Sequence, residues 1–200
     1  MSNPKTNHFV TGRVRLSYVH LNQPYAHQLG GEAKYSVTVL VPKSDIATRK
    51  LIDAAIAVAI QQGISTKWNG TKPPIVATPL YDGDGLRPNG EAFGAECAGH
   101  WVFTASAKSD KRPRVVSRSA QGLQDILDPS EIYSGIYGAV GVDAYPYNSN
   151  GKRGIAFGLT NVLKLADGDS LGGGTSAEDD FDEFIAPTTG GVNPITGLPY

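Results

Sequence analysis

The stretch KYSVTVLVPKSDIATRKLIDAAIAVAIQQG, residues 34–63, decides the fold. Its first eight residues alternate. Tyr35, Val37, Val39 and Val41 fall on one side of an extended chain, with Ser36 and Thr38 on the other, which is the period of a strand with one buried face. Pro42 closes that strand, because proline supplies no backbone donor. Ser44 or Asp45 can then cap a helix. Leu51, Ile52, Ala55, Ile56, Ala59 and Ile60 recur at helical spacing to about Gln62, with Arg49, Lys50, Asp53 and Gln61 as polar positions. Gly63 is expected to stop the helix. A helix with one apolar stripe is suited to plugging one end of a β core.

Upstream, FVTGRVRLSY (residues 9–18) alternates as an early strand, with Val10, Val14 and Leu16 sharing a face and Arg13 and Arg15 opposite. Residues 19–33 are polar and read as turns. Downstream, residues 64–99 are irregular, and Lys72-Pro73-Pro74 and the run from Tyr81 to Gly85 read as loop and turn. His100 to Ala105 is a second firm strand, with Trp101, Phe103 and Ala105 on one face. A short strand is expected at 114–117, and 135–145 should pair with 154–165 about a hairpin turn between Tyr147 and Lys152. The expectation is a mainly β domain over residues 1–166, with five to seven strands closed into a small barrel and one principal helix, since closure leaves no exposed sheet edge. From Asp167 the composition DGDSLGGGTS reads as a flexible linker, followed by an acidic tail and a Gly/Pro-rich extension to residue 200.

Formal net charge is −1, yet the signs are segregated. Glu178, Asp179, Asp180, Asp182 and Glu183 crowd the tail, and no Lys or Arg follows Lys164, so residues 1–177 carry +4. Such segregation marks a body with an interaction tail. No charged n-region with an apolar core and cleavage site opens the chain, and the most apolar segment, residues 51–60, is too short to span a bilayer. One cysteine, Cys97, excludes a disulfide framework, fits a reducing cytoplasm, and reads as a small buried hydrophobe.

Catalytic signatures are missing. There is no phosphate-binding glycine loop, dinucleotide fingerprint or nucleophile elbow. His8, His20, His27 and His100 are scattered, and Asp82-Gly83-Asp84 lacks the remaining ligands of a calcium loop, so it reads as a turn. Asp125, Asp128 and Glu131 leave room for a metal-dependent nuclease, a weaker reading because acids are expected at a helix start. No cofactor is implied.

Binding chemistry is better represented. A sequence-tolerant binder of single strands needs cations for phosphates and flat side chains for bases. Lys108, Lys111, Arg112, Arg114 and Arg118 stand against one acid, Asp110. Trp101 and Phe103 precede them, Tyr145 and Tyr147 follow, and Lys152 and Arg153 repeat the pairing in the hairpin. Phe103 and Tyr35 read as core. Trp68, in the polar turn Lys67-Trp68-Asn69-Gly70, has no periodicity to bury it and is expected to be exposed. In the tail, Phe181 and Phe184 among five carboxylates cannot pack a core; they can compete with DNA for the protein's own cations or offer aromatic anchors to a partner.

The order of several segments resembles a family of tailed-phage single-stranded-DNA-binding proteins, formerly a domain of unknown function. These segments are Thr11-Gly12-Arg13-Val14-Arg15-Leu16-Ser17-Tyr18, the strand Lys34-Tyr35-Ser36-Val37, the exit Pro42-Lys43, Gly151-Lys152-Arg153-Gly154, and Asp179-Asp180-Phe181-Asp182-Glu183-Phe184. The resemblance implies an oligonucleotide-binding (OB) barrel that coats displaced single strands in phage replication and recombination in the host cytoplasm. It further implies Lys111, Arg112 and Arg114 as cleft cations, Glu178 to Phe184 as a segment recruiting a DNA polymerase and other replication proteins, and a possible homodimer. The chain departs from the pattern in that residues 185–200 follow the acidic motif. The competing non-enzymatic reading is a virion or assembly component, which would need no continuous cationic groove.

Overall fold

The computed structural model describes residues 6–26 and 31–172. Among them nine strands form one sheet: β1 (His8–Val10), β2 (Val14–Tyr25), β3 (Lys34–Pro42), β4 (Leu80–Asp82), β5 (His100–Lys108), β6 (Arg114–Ser119), β7 (Gly122–Asp125), β8 (Tyr137–Ser149) and β9 (Lys152–Ala166). Helix α1 (Ile46–Thr66) joins β3 to the segment leading into β4, and Ala95–Cys97 and Pro129–Glu131 are single 3-10 turns. No described helix is long and apolar enough to cross a membrane.

Five strands close. β2 pairs with β3, β3 with β5, β9 with β8 and β8 with β2, all antiparallel, and β5 meets β9 in parallel at Ser106 and Gly158. This is a mainly β, OB-like barrel with one principal helix. β1 extends β8, β4 extends β5, and the β6–β7 hairpin extends β9.

The valine alternation of β3 builds the interior. Val37, Val39 and Val41 are fully buried, as are Leu16, Phe103 and Val140. Phe9, Phe103 and Phe157 meet edge to face at 5.0–6.2 Å between ring centroids. Helix α1 contributes Ile52, Ala55, Ile56 and Ala59 to the same core. Its start is fixed by Asp45, whose carboxylate accepts from the Thr48 amide at 2.9 Å. The Thr48 hydroxyl in turn accepts from the Gly12 amide at 2.8 Å, which ties the helix cap to the break between β1 and β2.

Several expectations are corrected here. The N-terminal alternation is two strands, because the chain breaks at Thr11 to Arg13; the interruption leaves Phe9 inside and Val10 48% exposed. The polar interval after residue 18 is largely strand, since β2 runs on to Tyr25 through a bulge at Tyr18. Gly63 does not end α1. The helix continues to Thr66, and Gly63 instead lets the Trp68 indole lie on the helix, where a Cβ would stand 2.7 Å from the ring. The turn that folds the indole back uses Asn69 and Gly70 at φ 55° and 76°, with the Lys67 and Trp68 amides both donating to the Gly63 carbonyl. Trp68 is accordingly core, 1% exposed.

The hairpin turn is tighter than expected: Asn150 and Gly151, at φ 50° and 74°, make a two-residue turn, and Tyr147 belongs to β8. At the far end of β9 the chain does not come free at Asp167. The Leu171 amide donates to the Ser134 carbonyl at 2.8 Å, Arg15 Nη2 donates to the Asp169 carbonyl at 3.0 Å, and Lys164 pairs with Asp167 at 2.8 Å. The rest of the expected linker and tail, from residue 173, lies outside the described residues.

Candidate nucleic-acid interface

The outward side of the β3–β5 pair is the complement of the valine alternation. In register, Lys34 faces Lys108, Ser36 faces Ser106, Thr38 faces Thr104 and Leu40 faces Val102. The Thr38 and Thr104 hydroxyls meet at 3.1 Å. Over this floor runs a groove of about 470 Å³, walled by Tyr18 from β2 and by Tyr81, Arg87 and Phe93 from β4 and the segment after it. In an OB barrel this face and the flanking loops receive oligonucleotides.

Two walls carry aromatic rings. Tyr18 is 59% exposed and sits at φ 45°, a left-handed backbone uncommon outside glycine. Such strain persists where surrounding structure enforces it, and it clusters at binding sites. Here the bulge between Ser17 and His20 turns the ring toward the groove instead of continuing the alternation. Across the floor, Tyr81 pairs in register with Val102, and its ring lies 6.3 Å from Phe93. The Arg87 guanidinium lies 5.3 Å from the Phe93 ring centroid. Beneath them Leu40, Cys97 and Val102 form a small apolar cluster separate from the barrel core. Burial pushes the Cys97 thiol up, with Glu96 adding to the effect, so it is protonated and inert at neutral pH.

One mouth of the groove is cationic. Lys34 and Lys108 end β3 and β5 side by side, the turn after Lys108 carries Lys111, and Arg112 just beyond it lines a separate cavity with Arg114 and Asp125. None of Lys34, Lys108, Lys111 and Arg112 forms an ion pair among the described residues. Tyr25, opposite Lys34, stacks on His20 at 4.4 Å. At the other end of the barrel the β8–β9 hairpin holds the exposed Tyr145 and Lys152 and the half-buried Tyr147 and Arg153, beside Lys67. Residues 77–82 link this hairpin to the groove wall: the Ala77 amide donates to the Arg153 carbonyl at 3.2 Å, and Tyr81 follows on β4.

Thus the structure brings Lys108 and Lys111 together with Lys34 at one end of the β3–β5 floor, sets Arg112 beside Arg114 at a separate cavity, and gathers Tyr145, Tyr147, Lys152 and Arg153 on the hairpin. It separates the others. Trp68 is sealed in the core. Trp101 faces away from the groove floor, covered by Arg49 at 4.1 Å and Lys43 at 5.1 Å. Arg114 and Arg118 lie on β6, which β9 separates from β5, and Arg114 is held by Asp125 at 3.0 Å. Glu178 to Phe184 lie outside the described residues. Sequence reasoning missed Tyr18, Tyr25, Lys34, Tyr81, Arg87 and Phe93. For Lys34 the usable signal is the polar side of residues 34–41; the others stand in segments with no such pattern. Among the described residues no three His, Cys, Asp or Glu side chains converge as a metal site.

The family described as the Enterobacter phage Enc34 ssDNA-binding protein matches residues 7–189. "Putative protein p50" of Acyrthosiphon pisum secondary endosymbiont phage 1 is 33% identical over 182 residues, 86% of this chain and 90% of that protein. The structure of the single-stranded DNA-binding protein from bacteriophage Enc34 in complex with ssDNA superposes with a TM-score of 0.68 at 30% identity, covering 83% of this chain and 90% of that one. The single-stranded DNA-binding protein gp2.5 of bacteriophage T7 shares the fold, with a TM-score of 0.56 at 17% identity over 93% of this chain and 98% of its own.

Proposed function

This chain belongs to the family of the Enterobacter phage Enc34 single-stranded-DNA-binding protein, and we propose that it coats and protects single-stranded DNA during phage replication and recombination. The carrying observation is the β3–β5 face, where exposed tyrosines wall a groove whose mouth holds Lys34 and Lys108 without acidic partners. Bases stack on Tyr18 and Tyr81, phosphates meet Lys34, Lys108, Lys111, Arg112 and Arg87, and the strand continues toward Tyr145, Tyr147, Lys152 and Arg153. The role is binding, with sequence tolerance that follows from stacking, since every base has a π-face. A nuclease-protection assay on oligothymidine tests it: saturating protein preserves the strand, and digestion at the free-DNA rate contradicts the reading.

The acidic segment Glu178 to Phe184 acts in the host cytoplasm as a contact for a DNA polymerase or other replication proteins, and the protein works as a homodimer. The support is compositional for the segment, with aromatic anchors among carboxylates, and by resemblance for the dimer. Truncation after Gly172 should abolish capture of replication proteins, and sedimentation reads the dimer directly.

A further inference from the structure

The groove wall on the β4 side is a separate lobe, residues 83–99, and both its ends are clipped to the barrel. Near its start Asp84 Oδ1 accepts from the Gly99 amide at 2.8 Å, so the two ends of the lobe are joined directly. Asp84 Oδ2 pairs with Lys43 Nζ at 2.6 Å, and Asp82 pairs with the same nitrogen. The Gly83 amide donates to the His100 carbonyl at 2.9 Å and the Lys43 amide to the Gly99 carbonyl at 3.0 Å. Gly83 sits so close to the Cys97 carbonyl that any Cβ would collide with it. Above this base the chain folds on itself through the Leu86–Ala92 bridge, with the Arg87 amide donating to the Glu91 carbonyl at 2.7 Å. The apolar cluster between lobe and barrel, Leu40, Cys97 and Val102 with Phe93, is separate from the main core.

The wall sets a width. Tyr18 stands on β2 and Tyr81 on β4, and β3 and β5 lie between them, so the two backbones are three strand spacings apart, about 14 Å. Tyr18 and Phe93 project into that interval. A B-DNA duplex carries a major groove about 12 Å and a minor groove about 6 Å wide, so the whole duplex is wider than an interval of about 14 Å that Tyr18 and Phe93 narrow further. An unpaired strand, with its base faces free to meet the rings, enters edgewise.

We propose that residues 83–99 are the strand-specificity element of this interface: a wall, clipped in place by Lys43, Asp82, Asp84 and Gly99, that narrows the β3–β5 face to one unpaired strand and keeps duplex DNA off it. The proposal rests on the single-strand reading and adds the physical reason for the preference. The cations at the mouth attract duplex phosphates as readily as single-strand ones, so discrimination comes from shape and from the base faces that only an unpaired strand offers.

The test uses the full chain, with fluorescent oligothymidine and a duplex of equal length titrated at one salt concentration, and amide exchange read over residues 85–98. Asp84→Asn keeps an acceptor for the Gly99 amide and removes the charge facing Lys43; Lys43→Met breaks the clip from β3; Lys43→Arg retains it. A fourth variant leaves the clip intact and lowers the wall by replacing residues 87–91 with Asn-Gly, a turn suited to the Leu86–Ala92 pair. The expected result is faster exchange in Asp84→Asn and Lys43→Met and a preference for single strand reduced about tenfold, mainly by tighter duplex binding, with the shortened lobe giving the same change in ratio and Lys43→Arg retaining the wild-type ratio. Duplex binding no tighter than wild type in the shortened-lobe variant, which also lacks Arg87, or unchanged exchange in both clip variants, overturns the proposal. Failure of the wild-type protein to bind oligothymidine is a different outcome, and it removes the functional reading itself.

Discussion

The Trp68 indole Nε1 donates to the Tyr147 carbonyl at 3.1 Å, fastening the β8–β9 hairpin to the end of helix α1. The ring is fully enclosed, its face on Gly63, and Asn148 Nδ2 reinforces the junction by donating to the Lys67 carbonyl at 3.2 Å. A ring so enclosed offers no face to a base. Trp68→Ala should cost about 3–5 kcal/mol of stability in denaturant unfolding. Trp68→Phe fills most of the space and loses the hydrogen bond, a smaller cost of about 1 kcal/mol plus any void, and the folded Phe variant should bind oligothymidine nearly as the wild type does. A large affinity loss in a stable Trp68→Phe protein would place this ring at the DNA after all.

Tyr18 separates stability from function. Its left-handed backbone is strained for tyrosine and comfortable for glycine, so Tyr18→Gly should leave the melting temperature unchanged or raise it. Loss of the ring should still weaken oligothymidine binding by about 1–3 kcal/mol. Calorimetry and fluorescence titration on one sample check both halves, and an unaltered affinity would remove Tyr18 from the interface.

The barrel was legible where one face is buried. Residues 34–41 revealed their strand because their valines alternate, and residues 46–60 their helix because apolar positions recur at its period. β4 and β7 were illegible because they are short and mostly exposed, and so have no buried face to impose a pattern. The site was half legible for the same reason. Local sequence displays charge density, so Lys108, Lys111 and Arg112 were visible. Tyr18, Tyr81 and Phe93 come from segments far apart in sequence, and only the closing of the barrel and the folding of the lobe bring them to one groove. Trp68 misled because burial there comes from a tertiary contact with Gly63, and a polar turn carries no trace of it.

The cations should divide by their partners. Arg112 has no ion pair among the described residues, whereas Arg114 already faces Asp125. Arg112→Ala should flatten the dependence of log affinity on log salt by about 0.7, the share of one single-strand phosphate contact. Arg114→Ala should move that slope much less, because its charge is already compensated by Asp125, although the two arginines border the same cavity. Equal slopes for the two variants would place both on the DNA path.

Acid should open the lobe before it unfolds the barrel. Hydrogen bonding to Lys43 holds the Asp82 and Asp84 carboxyls below the ordinary aspartate value of 3.8, and the same pairs raise the Lys43 ammonium. A depressed carboxyl contributes stability that is complete above its unfolded value and is lost as pH falls through the lowered one; a raised ammonium contributes below its ordinary value and loses this as pH rises through the raised one. The clip is thus intact across the neutral range. Proteolysis with an acid-active protease should cut within residues 85–98 as pH drops below the aspartate range, while β3 and β5 remain protected. Simultaneous cleavage of lobe and barrel would contradict a local clip.

The central claim, that the β3–β5 face receives single-stranded DNA, is tested most directly by titrating oligothymidine across a salt series with wild-type protein and with the Lys34→Ala, Lys108→Ala double variant. Lys34 and Lys108 are register partners at the groove mouth, exposed and outside the core, so their loss should leave the fold intact. The account predicts tight binding at low salt that weakens as salt rises, and in the double variant a lower affinity with a salt slope smaller by about 1.4. Wild-type binding with an identical affinity and slope in the double variant would contradict it.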